Sequence, residues 1–283
     1  MTTGRAFMNL TSPSQVKDWC IANGFHPNKV LGQNFLIDKN VLDAIVDAAE
    51  LAAFGPSPRV LEIGPGLGVL TEGLLARGAR VSAIEKDPVL AARLAESLGN
   101  PADLAVTAGD ALDVVKAGGC DGFAAMVSNL PYQAGTRILL ELIRRVDAGA
   151  AVPETIVVLV QTEVAERLAA GPGSKTRGLA GVWAQLDYSV SIVRKVSAAC
   201  FWPRPEIGSS VVKLVRHHAN DALASDARKA FRALSKQAFE HRRKQLGSIF
   251  KGRIESSARA EELSNSDWIS LANAWSKEYT SLS

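Results

Sequence analysis

Arg59-Val60-Leu61-Glu62-Ile63-Gly64-Pro65-Gly66-Leu67-Gly68 is the stretch whose reading decides the fold of this 283-residue chain. A short apolar run without polar alternation reads as a strand covered on both faces, the habit of parallel sheets. The glycines that follow allow a sharp turn into a helix and a close approach to a ligand. Working outward, the rhythm repeats: a helix over 69–77, a strand over 80–85 and a helix over 88–98. Strands over 104–107, 123–128 and 155–161 follow, with a helix over 136–146. A helix over 163–170, the turn Pro172-Gly173 and strand-like runs over 190–196 and 211–216 complete this part. Upstream, Ser12-Pro13 reads as a cap with proline at the first helical position, opening a helix that ends near Asn23-Gly24. A second helix is expected over 39–53, and after His218 the pattern turns helical, roughly 221–248 and 267–278. The expected class is α/β: a doubly wound, Rossmann-like sheet with an N-terminal helical extension in 1–217, and a small helical domain in 218–283.

The chain is long enough to bury a full α/β core beside a smaller domain. A hydrophobic fraction of 47% is ordinary for a globular protein, and no apolar run approaches a membrane span. The first seven residues carry no apolar signal core, so a cytoplasmic protein is expected. Cys20, Cys120 and Cys200 lie far apart, and His217 and His218 are adjacent, so neither a disulfide framework nor a metal site is expected. The net charge of +3 says less than its distribution. Arg228, Lys229, Arg232, Lys236, Arg242, Arg243, Lys244, Lys251 and Arg253 crowd one segment, with Glu240 the one carboxylate among them. A solvated helix face is the plain reading of such a run. Phosphate contacts with RNA are the rival reading, with Lys236, Arg242, Arg243 and Lys244 as candidates, and it gains weight if the chain upstream carries base-directed chemistry.

Gly64, Gly66 and Gly68 form a turn between strand and helix, which alone is often only a tight connection. A dinucleotide fingerprint places its third glycine where Val69 stands. Glu85 ends the next strand, roughly twenty residues on, where a carboxylate accepts hydrogen bonds from ribose hydroxyls. Asp110, in Gly109-Asp110-Ala111, is placed to meet an adenine amino group. Glu62 either shapes the glycine loop or faces a cationic methionine end. Each acid alone reads as a cap or a solvated loop residue; the ordered set points to S-adenosylmethionine. No phosphate loop with its lysine is present, which disfavours a nucleoside triphosphate.

Asn129-Leu130-Pro131-Tyr132 follows the strand over 123–128. The lone pair of an exocyclic adenine nitrogen is delocalised into the ring, so its methylation needs acceptors aimed at its N–H groups. The side-chain oxygen of Asn129 and the carbonyl of Leu130 are such acceptors. Pro131 stiffens the turn, and Tyr132 offers a ring on which a base stacks. An ordinary Asx-Pro turn is the plain alternative. Phe201-Trp202-Pro203-Arg204-Pro205 is a second candidate wall, with Phe201 expected to stack opposite Tyr132; packing between domains is its rival reading.

These motifs resemble a known family: the ribosomal RNA adenine N6,N6-dimethyltransferases of the bacterial KsgA/RsmA type, relatives of the Erm resistance methyltransferases. The likeness runs from Lys29-Val30-Leu31-Gly32-Gln33-Asn34-Phe35-Leu36 through the glycine loop, Glu85, Asp110 and Asn129-Leu130-Pro131-Tyr132. It continues through residues 161–168, Pro172-Gly173-Ser174-Lys175, residues 201–205 and Phe239-Glu240-His241-Arg242-Arg243-Lys244. The resemblance implies that Gln33, Asn34 and Leu36 cover the cofactor. It implies a substrate of two adjacent adenosines near the 3′ end of small-subunit rRNA, each methylated twice; a monomer is expected. It also implies that the helical domain docks on the immature small subunit. The family pattern carries a tyrosine where Arg177 stands and a basic residue where Thr162 stands, departures that bear on RNA contacts rather than chemistry. Rival readings fit less well. An enzyme methylating DNA adenine once carries Pro at the position of Leu130. An Erm-type enzyme acting on large-subunit rRNA is nearer, but the basic C-terminal region favours the small subunit. A non-catalytic assembly factor has no need of Asn129, Tyr132, Glu85 and Asp110, and an NAD-linked oxidoreductase is opposed by Val69.

Overall fold

The computed structural model describes residues 9–28 and 32–280, with side chains described to residue 276. The expectations that rest on residues 1–7 and on Lys29-Val30-Leu31 lie outside the described residues. In chain order the first elements are α1 (Pro13–Ala22), β1 (Phe35–Leu36), α2 (Lys39–Ala48), β2 (Arg59–Ile63) and α3 (Val69–Leu75). Next come β3 (Arg80–Glu85), α4 (Pro88–Ser97), β4 (Leu104–Ala108), α5 (Ala111–Lys116), β5 (Ala125–Asn129) and α6 (Gly135–Arg144). β6 (Thr155–Gln161), α7 (Thr162–Ala169), α8 (Leu179–Ala184), β7 (Tyr188–Val196), β8 (Phe201–Trp202) and β9 (Ser209–Arg216) complete the α/β part. α9 (Ser225–Glu240), α10 (Leu246–Ile249) and α11 (Asn265–Thr280) follow.

One seven-stranded sheet runs β4-β3-β2-β5-β6-β9-β7. The first five strands are parallel neighbours, while β9 pairs antiparallel with both β6 and β7. Alternate side chains feed opposite faces: Val157 and Leu159 enter the core under α1–α4, while Ile156, Val158 and Val160 enter the core with α5 and α6. Burial on both faces is why these strands read as unbroken apolar runs. Strand order reverses between β2 and β5, and a ligand crevice opens at the carboxyl ends of strands at such a switch point. Aspartates punctuate that rim. Asp38, Asp87 and Asp110 cap α2, α4 and α5 by accepting backbone N–H bonds.

Several helix limits differ from the sequence expectation. The helix from 39 stops at Ala48, because Glu50 takes a left-handed conformation before a 3₁₀ turn over Leu51–Phe54. The expected helix over 221–248 ends at Glu240. There the chain turns through 241–245, and the amides of Leu246 and Gly247 pair with the carbonyls of Ala258 and Ser256. α5, α8 and the two-residue pair β1–β8 are elements the periodicity did not show. A third core joins Phe231 and Leu234 of α9 with Trp268 of α11, and it recruits Val182 of α8 and Leu186. The helical part is therefore packed onto the chain before residue 217 rather than separated from it at that border.

Two members of the basic run are not phosphate contacts. Arg228 and Arg232 are buried. Arg228 donates to both oxygens of the fully buried Asp187 at 3.0 and 3.1 Å, and Arg232 donates to Asp147 at 3.0 and 3.1 Å. Arg216 reaches Asp187 at 3.4 Å. Arg177 is likewise interior: it donates to the carbonyl of Ala170 (2.8 Å), Gln185 Oε1 (3.0 Å) and Asn265 Oδ1 (2.9 Å). Arg177 thus ties α11 to the α/β part. Removing one partner of a buried ion pair leaves the other uncompensated. Asp187→Asn is expected to lower unfolding free energy by roughly 3–5 kcal/mol, read as a drop in the thermal midpoint; an unchanged midpoint would contradict a structural role for the cluster.

Candidate active site

The crevice at the switch point is walled by the segment 32–36, the glycine loop after β2, the end of β3, residues 109–111 after β4, and residues 129–134 after β5. Gly64, Gly66 and Gly68 all have positive φ (66°, 59° and 95°). A Cβ at Gly66 would meet the Phe35 ring at 3.0 Å, and one at Gly68 would meet Leu94 at 2.7 Å. Backbone alone fits there, so the loop itself is the wall.

Glu85 is buried, and its two oxygens accept from the amides of Asp87 (2.8 Å) and Gly66 (3.1 Å). It props the glycine loop as well as lining the crevice. Burial raises its pKa, partly offset by the Asp87 and Gly66 amides. Glu62 is deeper, and Thr71 Oγ1 donates to its Oε2 at 2.7 Å. Burial pushes its carboxyl up to about 8, against the opposing Thr71 hydrogen bond. Asp110 behaves otherwise: Lys86 Nζ lies 2.8 Å from its Oδ2, and that contact holds its carboxyl below the usual range. Its other oxygen accepts from the amide of Leu112, so Asp110 caps α5 at the crevice rim, beside Ala111. Two buried acids beside a glycine turn, Glu85 accepting from amides and Glu62 open to ionisation by a cation, suit a ligand with a cationic end and vicinal hydroxyls.

Gln33, Asn34 and Leu36 all line the crevice. Gln33 Nε2 donates to Asp87 Oδ2 (2.9 Å) while its Oε1 accepts from the amide of Asn28 (2.7 Å), clasping this segment to the head of α4. Opposite, the Leu130 amide donates to the carbonyl of Leu159 (3.1 Å), ending the strand ladder, and the Pro131 carbonyl accepts from Gly135 (2.7 Å). Asn129 Nδ2 donates to the carbonyl of Asn34 at 3.1 Å. That bond commits the nitrogen and makes Oδ1 the accepting end of the side chain. Tyr132 lines the crevice and shares a 2.8 Å hydrogen bond with Ser209 Oγ; burial raises its pKa.

Phe201 is buried in register with Leu36, which lines the crevice, and is not itself among the lining residues. Among the basic candidates, Lys236, Arg243 and Lys244 are exposed on α9 and the turn after it. Arg242, with its side chain partly exposed, donates to the carbonyl of Lys175 and lies 3.6 Å from Glu261. The Thr71, Asp87 and Lys86 partners were not picked out from the sequence. The one available signal was Asp87-Pro88, a helix-start pattern.

Residues 24–275 match the family model for ribosomal RNA adenine dimethylase. The ribosomal RNA small subunit methyltransferase A of Deinococcus radiodurans is 47% identical over 205 residues, 72% of this chain and 67% of that protein. Its counterpart in Streptomyces coelicolor is 39% identical over 258 residues, 89% of this chain and 87% of that one. Among solved structures, a dimethyladenosine transferase from Plasmodium falciparum shares the fold with a TM-score of 0.74 at 24% identity, covering 86% of this chain and 98% of its own. The 23S rRNA methyltransferase ErmE gives a TM-score of 0.64 at 25% identity, over 85% of this chain and 99% of its own. No described helix is long and apolar enough to cross a membrane. With the site geometry and these relatives in agreement, the chain belongs to the ribosomal RNA adenine dimethylase family.

Proposed function

We propose that this chain transfers methyl groups from S-adenosylmethionine to the N6 nitrogens of two adjacent adenosines near the 3′ end of small-subunit rRNA, giving N6,N6-dimethyladenosine. It acts as a monomer on an immature small subunit in the cytoplasm. The observation that carries this reading is the oriented Asn129 amide, set at the mouth of the same crevice that holds the glycine loop and Glu85. When bound, S-adenosylmethionine supplies an electrophilic methyl carbon whose bond to sulfur breaks with its electron pair staying on sulfur. Glu85 binds the ribose hydroxyls, Asp110 and Ala111 meet the adenine, and Glu62 faces the cationic methionine end. Gln33, Asn34 and Leu36 cover this cofactor. Asn129 Oδ1 and the Leu130 carbonyl accept the two N6–H bonds of the target adenosine, and Tyr132 stacks on its ring. With both N–H groups held, the N6 lone pair would be aimed at the methyl carbon that the cofactor supplies. The displaced N6 proton leaves to water, so positioning and electrostatics do the work without a general base. Lys236, Arg243 and Lys244 contribute phosphate contacts, and the helical part 218–283 docks the enzyme on the subunit.

ErmE's likeness in fold makes large-subunit rRNA the second substrate to test. Labelled-methyl transfer to small subunits lacking the modification, with naked rRNA and large subunits in parallel and nucleoside mass spectrometry of the products, separates the readings. Dimethyladenosine confined to the small subunit is expected; label in large-subunit RNA, or no label with tight subunit binding, would contradict the proposal.

Glu62 gives a pH prediction. Its carboxyl is protonated at neutral pH in the free site, since burial raises it to about 8. A cationic ligand favours the ionised form, so binding releases a proton, and cofactor affinity should rise as pH climbs toward about 8. Titration calorimetry in buffers of different ionisation enthalpy reads the released proton. Glu62→Gln should abolish it, and pH-independent binding by the unaltered chain would sink the assignment.

A further inference from the structure

Tyr132 is tethered at its phenol end, where the oxygen shares the 2.8 Å hydrogen bond with Ser209 Oγ, and its backbone passes close to Gly32, where an added Cβ would come within 3.3 Å of the Tyr132 nitrogen. Ser209 is fully buried and opens β9, in register with Gln161 of β6 on one side and Val196 of β7 on the other. Its neighbours are pinned too: the Gly208 carbonyl accepts from the Thr162 amide at 3.1 Å, and Ser210 Oγ lies 3.2 Å from Thr162 Oγ1. Ser209 therefore presents its hydroxyl from a strand paired on both edges. It does not line the crevice, so it reaches the chemistry only through the tyrosine.

We propose that Ser209 is a positioning residue whose hydrogen bond fixes the Tyr132 ring as a base platform, and that the second methyl transfer depends on this bond more than the first. The inference rests on the reading of Tyr132 as the surface on which the adenosine stacks. At the first transfer N6 offers two N–H groups, and Asn129 Oδ1 and the Leu130 carbonyl accept both. N6-methyladenosine has one N–H, so one of those two hydrogen bonds is lost. The orientation it supplied must come from the stacked ring. Attack in line with the breaking bond tolerates little displacement, since an error of about 1 Å costs on the order of 100-fold in rate. A tyrosine free to shift thus handicaps the second step selectively.

The test follows N6-methyladenosine and N6,N6-dimethyladenosine over time on small subunits, for the unaltered chain, Ser209→Ala, Tyr132→Phe and the double variant. Each single variant is expected to lower the ratio of dimethyl to monomethyl product several-fold at matched total methylation, up to roughly tenfold for one hydrogen bond. Cofactor affinity should be unchanged, and the double variant should be no worse than either single. A Ser209→Ala chain with an unchanged product ratio would overturn the proposal. So would one that slows both transfers equally in the Tyr132→Phe background, since that marks a general packing role. If Ser209→Ala does not fold, Tyr132→Phe, which keeps the ring, carries the same prediction, and an unchanged ratio there overturns it. Failure of the unaltered chain to make any methyladenosine would overturn the proposed function together with this inference.

Discussion

The hydrogen bond from Asn129 Nδ2 to the carbonyl of Asn34, 3.1 Å long across 95 residues of sequence, joins the two walls of the crevice. On one side it holds the end of β5, where the strand ladder stops and the Pro131 turn begins. On the other it holds the segment 32–36, which is clasped at Asp87 by Gln33 and paired through β1 to β8. The same bond orients the side chain: an amide has one donating and one accepting end, and with the nitrogen on Asn34 the oxygen is the accepting end that the proposed chemistry requires. Much else in the α/β part serves to bring these two backbone segments to one place.

The carboxylates around the crevice are graded by burial rather than by type. Glu62, the most buried, has its pKa raised to about 8; Glu85 is raised but steadied by two amides; Asp110, beside Lys86, is lowered. One rim therefore offers a protonated acid deep inside, an amide-bound carboxylate midway and an ionised one near solvent. The Asp147–Asp187–Arg228–Arg232 cluster, with Asp187 and both arginines buried, plays a different part, fixing the helical region against the α/β part.

Much of this was legible in the sequence. Strands at Arg59–Ile63, Arg80–Glu85 and Thr155–Gln161 stand where their continuous apolar runs place them, because burial on both faces leaves no room for polar alternation. Helix ends were harder, since tertiary contacts set them: nothing local says that 246–247 will pair with 256–258 and stop α9 at Glu240. The pairing of Phe201 with Leu36 was not legible, because it joins segments 165 residues apart. Arg228 and Arg232 show the limit of counting charge, for their partners Asp187 and Asp147 lie 41 to 85 residues away. Glu85 was found from its distance beyond the glycines, but its grip on the Gly66 amide needed coordinates.

The central claim is that Asn129 acts by accepting a hydrogen bond from the reacting nitrogen. Single-turnover methyl transfer by Asn129→Ala, measured beside the cofactor affinity of the same variant, tests it most directly. The account predicts a rate lowered by roughly 100- to 1,000-fold, the scale of one lost preorganised contact, with cofactor binding retained. A rate equal to that of the unaltered chain would contradict it.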